Sequence, residues 1–310
     1  MDKRRGRPFP DAVILKPLAF NLEEALQVEN LYRPNLYAMY QNDVRNGEVT
    51  LSSRDDAVNR LRFLRVWLDI PHFTFFLSVS YLDMFLSKMR VQEKYLKCIT
   101  LSCLHLALTN SCDQVDVNHL VKISQSKCTS GDVIRMSKII KEKLKSPPVK
   151  TAVDFLEIYI EVLKYISTQW EHIIKKDLNS IKQRMLILLE VLLANSNTAY
   201  LRPAAIALIV FQREVEKIMA VGLPNKSVYF LGEVLQFLAT VREIQLKCKI
   251  KNSELRACFL QVSKVLQEYE KRGSKGDRHR EQLNWNFSMS TVQESQNRSS
   301  YCPSFQTIQE

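Results

Sequence analysis

Apolar residues recur at helical spacing through the first half of the chain. Between Phe75 and Leu86 they are separated by four, three and four positions, which places them on one side of an α-helix. The stretches from Leu96 to Leu106 and from Val133 to Leu144 repeat spacings of three and four. A first helix is predicted at about residues 54–68, and Pro71 separates it from the second. The pattern predicts a series of about five amphipathic helices.

Two adjacent prolines, Pro147 and Pro148, end this series because proline cannot donate a backbone hydrogen bond within a helix. The helical pattern then restarts in a second series. Its segments are Phe155–Tyr165, Leu186–Leu193, Ala204–Phe211, Val228–Val241 and Leu255–Tyr269. We therefore predict an all-α protein with two consecutive helical repeats of about five helices each.

The two ends of the chain lack this pattern. Residues 1–19 are basic and contain several prolines, and residues 271–310 are rich in Gly, Ser, Asn and Gln, so both are predicted to be flexible tails. Asn21 and Glu24 have capping-box spacing at the start of a predicted helix. The predicted domains are a basic tail (1–19), an N-terminal helical extension (20–49), the first repeat (50–147), the second repeat (148–270) and a C-terminal tail (271–310).

The composition supports a buried helical core and argues against several functional classes. Hydrophobic residues make up 46% of the 310 residues, whereas only 7 are glycine, too few for a β-sandwich or for phosphate-binding loops. No apolar run approaches the roughly 20 residues that span a bilayer, and the basic N-terminus lacks the apolar segment of a signal peptide. We therefore expect no membrane contact and a location in the nucleus and cytoplasm.

The cysteines and histidines do not form a recognisable chemical site. The 7 cysteines are odd in number and no two have C-x-x-C spacing, so we expect reduced, mainly structural thiols. None of the 5 histidines lies in a nucleophile motif or a metalloprotease motif. We expect no catalytic residue, no metal, no cofactor and no small-molecule substrate.

Several short motifs follow one another on successive predicted helices. They are Ser-Arg at 53–54, Asp-Met-Phe-Leu at 83–86, Leu-Ser-Cys-Leu-His-Leu-Ala at 101–107 and Ile-Arg-Met at 134–136. In this order and spacing they resemble the motifs of the cyclin box, with particular similarity to the cyclin G and cyclin I subfamily. The resemblance implies two consecutive five-helix cyclin-box repeats with an N-terminal helical extension.

The resemblance also implies a buried ion pair between Arg54 and Asp83. In cyclins an arginine of the first helix and an aspartate of the second pair inside the box, and this chain has both residues. Because an unpartnered buried charge is strongly destabilising, the two residues are expected to be kept or lost together. Two exposed and unrelated side chains are the alternative.

The positions that hold the kinase in kinase-activating cyclins carry different residues here. The resemblance places Thr109 where those cyclins have a lysine on the third helix, and Ser137 where they have a glutamate on the fifth. Cys112 replaces a downstream glutamate, and Asn110 and Lys141 are neighbouring kinase-facing positions. Losing a charge-assisted contact at a desolvated interface commonly removes about 2–5 kcal/mol, so we expect a kinase to be held weakly in the usual way.

The first helix of the box also departs from the substrate-docking patch of cell-cycle cyclins. That patch is apolar, whereas the aligned positions here are Ser53, Asp56, Ala57 and Arg60. We therefore expect no apolar groove at these positions and no recruitment of Arg-x-Leu peptides.

Positive charge is concentrated near both ends of the chain. The formal net charge is +11, and residues 242–280 alone contain 11 Lys or Arg against 5 Asp or Glu. The N-terminal candidate segment consists of Arg4, Arg5, Gly6, Arg7 and Pro8. It contains Arg-Gly-Arg-Pro, the core of an AT-hook, which inserts arginines into the minor groove of DNA. Minor-groove contact, a nuclear-import signal and a solvated basic tail all stay open for this segment.

These features together predict a cyclin G-like regulatory and adaptor protein that is not an enzyme. The resemblance implies binding to a protein kinase of the cyclin-dependent type, to a regulatory B′ subunit of protein phosphatase 2A, or to both, in control of the cell cycle or growth. The alternative is a cyclin-fold, transcription-associated protein that contacts DNA or chromatin through its basic segments. General transcription factors of the TFIIB type use the same doubled repeat, but their amino-terminal zinc ribbon has no counterpart in this sequence.

Overall fold

The computed structural model describes residues 12–32, 34–36, 39, 47–111, 116–145, 148–166, 178–222 and 228–274. The helices are α1 (Ala12–Tyr32), α2 (Leu51–Trp67), α3 (His72–Lys88), α4 (Glu93–Ser111), α5 (Val117–Ser124), α6 (Ser130–Leu144), α7 (Ala152–Ile166), α8 (Leu178–Leu193), α9 (Ser196–Ala199), α10 (Pro203–Gly222), α11 (Val228–Lys247) and α12 (Asn252–Ser274). An antiparallel bridge joins Glu48 to Gln92. The all-α prediction is confirmed. None of the described helices is long and apolar enough to cross a bilayer.

The described residues form two compact units, each assembled from separate stretches of chain. The α2–α6 unit contains the described parts of residues 34–147, 190–200 and 263–310, and the α7–α11 unit contains those of residues 1–33, 148–189 and 201–262. Residues 190–200 therefore group with helices that precede the sequence boundary at residue 147, and α1 groups with helices that follow it.

Helix α3 is the centre of the α2–α6 unit. Of its 17 residues, 12 are buried, including Phe75, Phe76 and Leu82. Helix α3 packs against α2 and α4, and α4 packs against α6. A helix with buried residues on all sides is typical of a core position, which explains why this segment has the most continuous apolar sequence of the unit.

Capping boxes define where α2 and α6 begin. The Thr50 hydroxyl accepts a hydrogen bond from the backbone N–H of Ser53 at 3.2 Å, and the Ser53 hydroxyl accepts one from the N–H of Thr50 at 2.9 Å. Thr129 and Asp132 form the same reciprocal contacts at 3.2 and 2.9 Å. These contacts satisfy backbone donors that a helix start leaves unpaired, and they set the register of the two helices.

The α7–α11 unit has an aromatic core. Helix α7 packs against α1 and α10, and α10 packs against α11. Its rings are Phe155, Tyr159, Phe211 and Phe237, with successive centroid separations of 6.4, 6.0 and 5.8 Å. These separations are those of favourable aromatic contacts, so the rings link three helices of the unit.

Helix α1 begins at Ala12, within the segment of residues 1–19 that the sequence predicted to be a flexible tail. The sequence interpretation treated the prolines of this segment as breaks. In the structure the helix continues through Pro17, which removes one backbone hydrogen bond without ending the helix. Residues 12–19 are therefore helical, and residues 1–11 lie outside the described residues.

Candidate functional site

Arg54 and Asp83 form a fully buried ion pair in the α2–α6 unit. Arg54 lies on α2 and Asp83 on α3, and their exposed fractions are 0% and 1%. Nε of Arg54 donates to Oδ1 of Asp83 at 2.9 Å, and a terminal guanidinium nitrogen donates to Oδ2 at 2.6 Å. Burial alone would lower the pKa of Arg54, but the carboxylates of Asp83 and Asp55 together raise it above its ordinary value. The guanidinium is therefore permanently charged, and its partner holds α2 against α3.

The remaining nitrogen of Arg54 contacts the end of α8. It donates to the carbonyl oxygen of Leu193 at 2.8 Å, which satisfies an acceptor that a helix C-terminus leaves unpaired. The neighbouring Asp55 accepts hydrogen bonds from the backbone N–H and the hydroxyl of Ser196, at 2.9 and 2.8 Å. Both contacts fasten residues 190–200 to the first turn of α2.

A second buried carboxylate, Glu190, fastens the same segment at its start. Its side chain is 3% exposed, and Oε1 lies 2.6 Å from Nε of Arg65 and 2.6 Å from Nδ1 of His72. Nε of Arg62 is 3.9 Å from the other carboxylate oxygen. Because all of these contacts link Glu190 to α2 and α3, we assign this cluster a structural role.

Ser137 is buried between α6 and α4, although the sequence predicted that this position faces the kinase. Its exposed fraction is 5%. The hydroxyl lies 2.8 Å from the carbonyl oxygen of Val133, 3.0 Å from that of Ser102 and 2.9 Å from Nδ1 of His105. A hydroxyl has one proton, which it donates to a carbonyl here, so we assign Nδ1 of His105 as the donor to Ser137. The alignment of Ser137 with a surface glutamate did not reveal that the residue is buried. Its small side chain fits between α4 and α6.

Helices α4 and α6 run in the same direction, because the contacts between them follow the same order along both. Near the start of α4, burial and then the neighbouring Cys128, which lies just before α6, raise the pKa of Cys98. Further along, Ser102 and His105 both contact Ser137. Beyond these contacts both helices continue in the same direction, α4 to Ser111 and α6 to Leu144. Burial lowers the pKa of His105, which favours the neutral imidazole at this contact.

The predicted kinase-facing residues that the structure describes at these helix ends are exposed. Thr109 lies one turn beyond His105 on α4, and Lys141 lies one turn beyond Ser137 on α6. We call the four exposed residues Thr109, Asn110, Lys138 and Lys141 the α4–α6 end. They present a hydroxyl, an amide and two ammonium groups, and none of the four is a carboxylate.

Local hydrogen bonds orient the α4 part of this surface. The Thr109 hydroxyl donates to the carbonyl oxygen of Leu106 at 2.9 Å, and the Asn110 amide donates to the Tyr81 hydroxyl at 2.9 Å. Both polar side chains are thus partly engaged with their own unit. Cys112, the remaining predicted kinase-facing residue, lies outside the described residues.

A groove of about 400 Å³ lies between α2, α4 and the residues that follow α5. The positions that the resemblance aligns with the docking patch line it, namely Ser53, Asp56, Ala57 and Arg60. Four buried leucines also line it, namely Leu61, Leu64, Leu96 and Leu101. Charged residues such as Glu93 and Lys97 line the groove as well, so it is only partly apolar, and the prediction about the four aligned positions stays a prediction. It considered four positions of one helix, whereas the leucines come from two helices.

The structure describes only one of the two basic segments that the sequence singled out. Arg4, Arg5, Gly6, Arg7 and Pro8 lie outside the described residues. On α11, α12 and the turn between them the basic side chains with described exposure are exposed, namely Arg242, Lys247, Lys249, Lys251, Arg256, Lys264 and Lys271. Exposure fits a solvated surface as well as contact with an acidic partner or DNA, so both interpretations stay predictions.

Residues 21–146 match the family described as "Cyclin, N-terminal domain". Cyclin-G1 of Bos taurus is 31% identical over 225 residues, which cover 71% of this chain and 70% of that protein. Cyclin-G2 of Mus musculus is 30% identical over 255 residues, covering 79% and 67%. Cyclin G of Drosophila melanogaster is 26% identical over 262 residues, 79% of this chain but 43% of that protein. The chain therefore spans less than half of the length of this last relative.

The fold is similar to that of a solved viral cyclin from herpesvirus saimiri. The TM-score is 0.58 at 21% sequence identity, and the match covers 80% of this chain and 99% of the viral chain. At this level of identity the likeness concerns the fold alone. It confirms the cyclin fold that the sequence motifs predicted.

Proposed function

Because the chain belongs to the cyclin family, with G-type cyclins among its relatives, we propose that it is a non-catalytic adaptor that binds a protein kinase of the cyclin-dependent type. A regulatory B′ subunit of protein phosphatase 2A is the second partner in this proposal. The proposed role is to bring such a catalytic partner to its substrates in control of the cell cycle or growth, in the nucleus and cytoplasm. The α4–α6 end is the observation that carries the proposal.

The α4–α6 end combines a cyclin-type framework with an altered surface. The buried Arg54–Asp83 pair joins α2 to α3 in the same unit, as the family resemblance implies. Thr109, which is exposed, and Ser137, which is buried, stand where the resemblance places the lysine and glutamate of kinase-activating cyclins. Charged pairs at interfaces contribute to orientation and residence time, so a kinase held without them is bound more weakly. This favours an adaptor over a tight, obligatory kinase activator.

Affinity purification with quantitative mass spectrometry tests the proposal. The full chain is recovered from cells, and co-purified kinases of the cyclin-dependent type and phosphatase 2A regulatory subunits are quantified in the same samples. Recovery of either class above a control bait supports the proposal. Recovery of neither class would refute it.

Two substitutions test whether a kinase binds at the α4–α6 end. Thr109→Lys restores the cation of kinase-activating cyclins, and Lys141→Glu places a carboxylate at the exposed position one turn beyond Ser137. We expect the double variant to recover more kinase. Lys143→Glu is the matched control, because it makes the same charge change at an exposed residue two positions on, which faces another side of α6. Ser137→Glu is unsuitable, since it would place a charge at a buried position.

Phosphatase recovery should respond differently to these variants. The proposal assigns no phosphatase contact to the α4–α6 end, so the recovered regulatory subunit should stay unchanged in the double variant. A parallel rise of kinase and phosphatase would instead place both partners at one surface and contradict the separate assignment.

DNA or chromatin contact is the alternative function, and the exposed basic residues of α11 and α12 are the observation that favours it. Neutralising phosphates releases counterions, so true duplex binding weakens steeply as salt rises. The test is a titration with duplex DNA at several salt concentrations. Binding that persists at about 0.15 M salt with a steep logarithmic dependence supports this alternative, and absence of binding there rejects it.

A further inference from the structure

Helix α11 is attached to its unit through one face. Its main neighbour is α10, and the residues that it buries are Phe237, Thr240, Val241 and Ile244. Phe237 belongs to the aromatic core described above, with its ring centroid 5.8 Å from that of Phe211. The buried residues follow one another at spacings of three, one and three, so they occupy one side of the helix and leave the opposite side to solvent.

The outward side of α11 is nevertheless apolar. Leu235, Leu238 and Leu246 are 61%, 40% and 62% exposed. Leu235 and Leu246 are separated by about three helical turns, so both point away from the buried side. Ala239 and Arg242 lie between them on the same stripe, and both are exposed. We call Leu235, Leu238, Ala239, Arg242 and Leu246 the α11 leucine face.

Three exposed leucines at helical spacing on one helix differ from isolated apolar residues at a surface. Single exposed leucines are common in soluble proteins and need no explanation. Apolar residues that recur every three or four positions on an exposed face are the pattern with which one amphipathic helix binds another, each leucine acting as a separate anchor. The α11 leucine face therefore has the form of a helix-binding surface.

Positive charge surrounds the α11 leucine face. Residues 235–262 contain 5 Lys or Arg and 2 Asp or Glu. One of the two acids, Glu254, lies 3.6 Å from Arg202. None of the five cations forms an ion pair with another residue that the structure describes, and all of them are exposed, namely Arg242, Lys247, Lys249, Lys251 and Arg256. These cations are therefore available to a partner of negative charge.

We propose that the α11 leucine face binds an amphipathic helix of a partner protein, with apolar residues on one side and acidic residues beside them. The leucines require apolar contact area, which the phosphate backbone of DNA does not offer, and the surrounding cations favour a negatively charged partner. A second copy of this chain is disfavoured, because two such faces would bring their own cations together. The face belongs to the α7–α11 unit, whereas the α4–α6 end belongs to the other unit.

The length of the face indicates the length of the partner helix. Leu235 and Leu246 are about 16 Å apart along the helix axis, at about 1.5 Å per residue. A partner helix of about three turns covers this distance and can place an acidic residue opposite Arg242, which lies between the two leucines. Such a charge pair would set the register of the partner helix, while the leucines supply the apolar contact.

A defined peptide tests the proposal. The probe is a fluorescent synthetic peptide, held helical by a side-chain staple, with leucines at i, i+3, i+7 and i+11 and glutamates beside them. A comparator peptide carries lysines in place of the glutamates. We expect the full chain to bind the acidic peptide about tenfold more tightly than the basic one, with a difference that shrinks as salt rises from about 0.05 to about 0.5 M. Equal affinity for the two peptides, or no binding of the acidic peptide, would overturn the proposal.

Substitutions of exposed residues locate the contact without disturbing the core. Leu235→Ser with Leu246→Ser should weaken binding of the acidic peptide about tenfold, and Arg242→Glu should weaken it about fivefold. Circular dichroism should show unchanged helix content in both variants, since all three side chains are exposed. Retained affinity in the double leucine variant would refute the site.

Helix α1 offers a matched control in the same unit. Phe20 and Leu31 are separated by the same number of positions as Leu235 and Leu246, and they are 67% and 74% exposed. The exposed residues Glu23 and Glu24 lie between them, so this face is acidic and repels an acidic peptide. Phe20→Ser with Leu31→Ser should therefore leave the affinity unchanged. An equal loss in this control would contradict the assignment to α11.

Three further measurements distinguish the other occupants. Hydrogen exchange should slow in residues 235–247 when the acidic peptide binds, and slowing confined to the groove between α2 and α4 would place the peptide elsewhere and refute the proposal. Duplex DNA should not displace the peptide at about 0.15 M salt, and displacement would assign the face to DNA. In sedimentation velocity of the chain alone, a dimer that the double leucine variant abolishes would assign the face to a second copy.

Discussion

The two units each contain a buried carboxylate bound by an arginine, and the two pairs are built from different parts of the chain. In the α2–α6 unit, Arg54 and Asp83 belong to successive helices, and both side chains are nearly inaccessible. In the α7–α11 unit, Glu29 of α1 binds Arg202, with a terminal nitrogen of Arg202 at 2.8 Å from Oε2. Glu29 is as buried as Asp83, but Arg202 keeps 15% of its side-chain surface exposed.

The two arginines share one further property. Each uses a spare N–H to bind a backbone carbonyl of another segment, Leu193 at 2.8 Å for Arg54 and Cys248 at 3.1 Å for Arg202. The α7–α11 pair adds a backbone contact to the acid, because the N–H of Ala204 donates to Glu29 at 2.9 Å. The Arg54–Asp83 pair therefore joins two successive helices, α2 and α3. The Glu29–Arg202 pair joins α1 to residues that are distant in sequence but belong to the same unit.

The largest expected effect is the loss of Asp83. Asp83→Ala leaves the Arg54 charge buried without its carboxylate, and breaking such a pair costs about 3–5 kcal/mol of unfolding free energy. Urea denaturation followed by circular dichroism measures this loss. Replacing both residues, as Arg54→Met with Asp83→Leu, should recover part of it because no charge stays unpaired. A loss below about 1 kcal/mol for Asp83→Ala would show that the pair is not essential to the unit.

A smaller effect is expected for Glu29. Glu29→Ala leaves the Ala204 N–H without its acceptor, but water can reach the partly exposed Arg202, so we expect a loss of about 1–3 kcal/mol. Hydrogen exchange should show the change mainly in α1, which the pair fastens. Glu24→Ala is the control, because Glu24 is exposed on the same helix. Equal destabilisation by both variants would remove the distinction between the two pairs.

The smallest effect concerns pH. The α4–α6 contact includes His105, whose pKa burial lowers from its ordinary value of 6.5. The unfolded chain then binds the proton more readily than the folded chain. Stability from this contact is therefore complete above pH 6.5 and decreases as the pH falls below it. His105→Gln should flatten that part of the stability profile, and an identical profile in the variant would exclude His105 as the cause.

The same contrast explains what the sequence could predict. Arg54 and Asp83 were predicted together because each lies within a motif of a recognisable helix, and the apolar spacing located α3, α4 and α6. Glu29 and Arg202 are separated by 173 positions and share no motif, so only the folded chain brings them together. Glu190 was equally hidden, since its partners lie on helices more than a hundred residues earlier.

The aligned positions also did not show which side chains are buried in the fold. Ser137 was aligned with a surface glutamate, but its hydroxyl is enclosed by backbone carbonyls and His105. The groove was missed for the same reason, because its leucines come from two helices whose packing a residue-by-residue comparison does not include. Periodicity reports which side of a helix is apolar, whereas packing decides which side chains share a cavity.

We propose that the chain has the cyclin fold but lacks, at the α4–α6 end, the lysine–glutamate pair that binds the kinase in kinase-activating cyclins. The most direct measurement is the dissociation constant of the purified chain with a co-purifying kinase, compared with the Thr109→Lys, Lys141→Glu double variant and the Lys143→Glu control. We predict that the double variant binds about tenfold more tightly, equivalent to about 1.4 kcal/mol, and that the control is unchanged. Equal dissociation constants for all three proteins would contradict the claim.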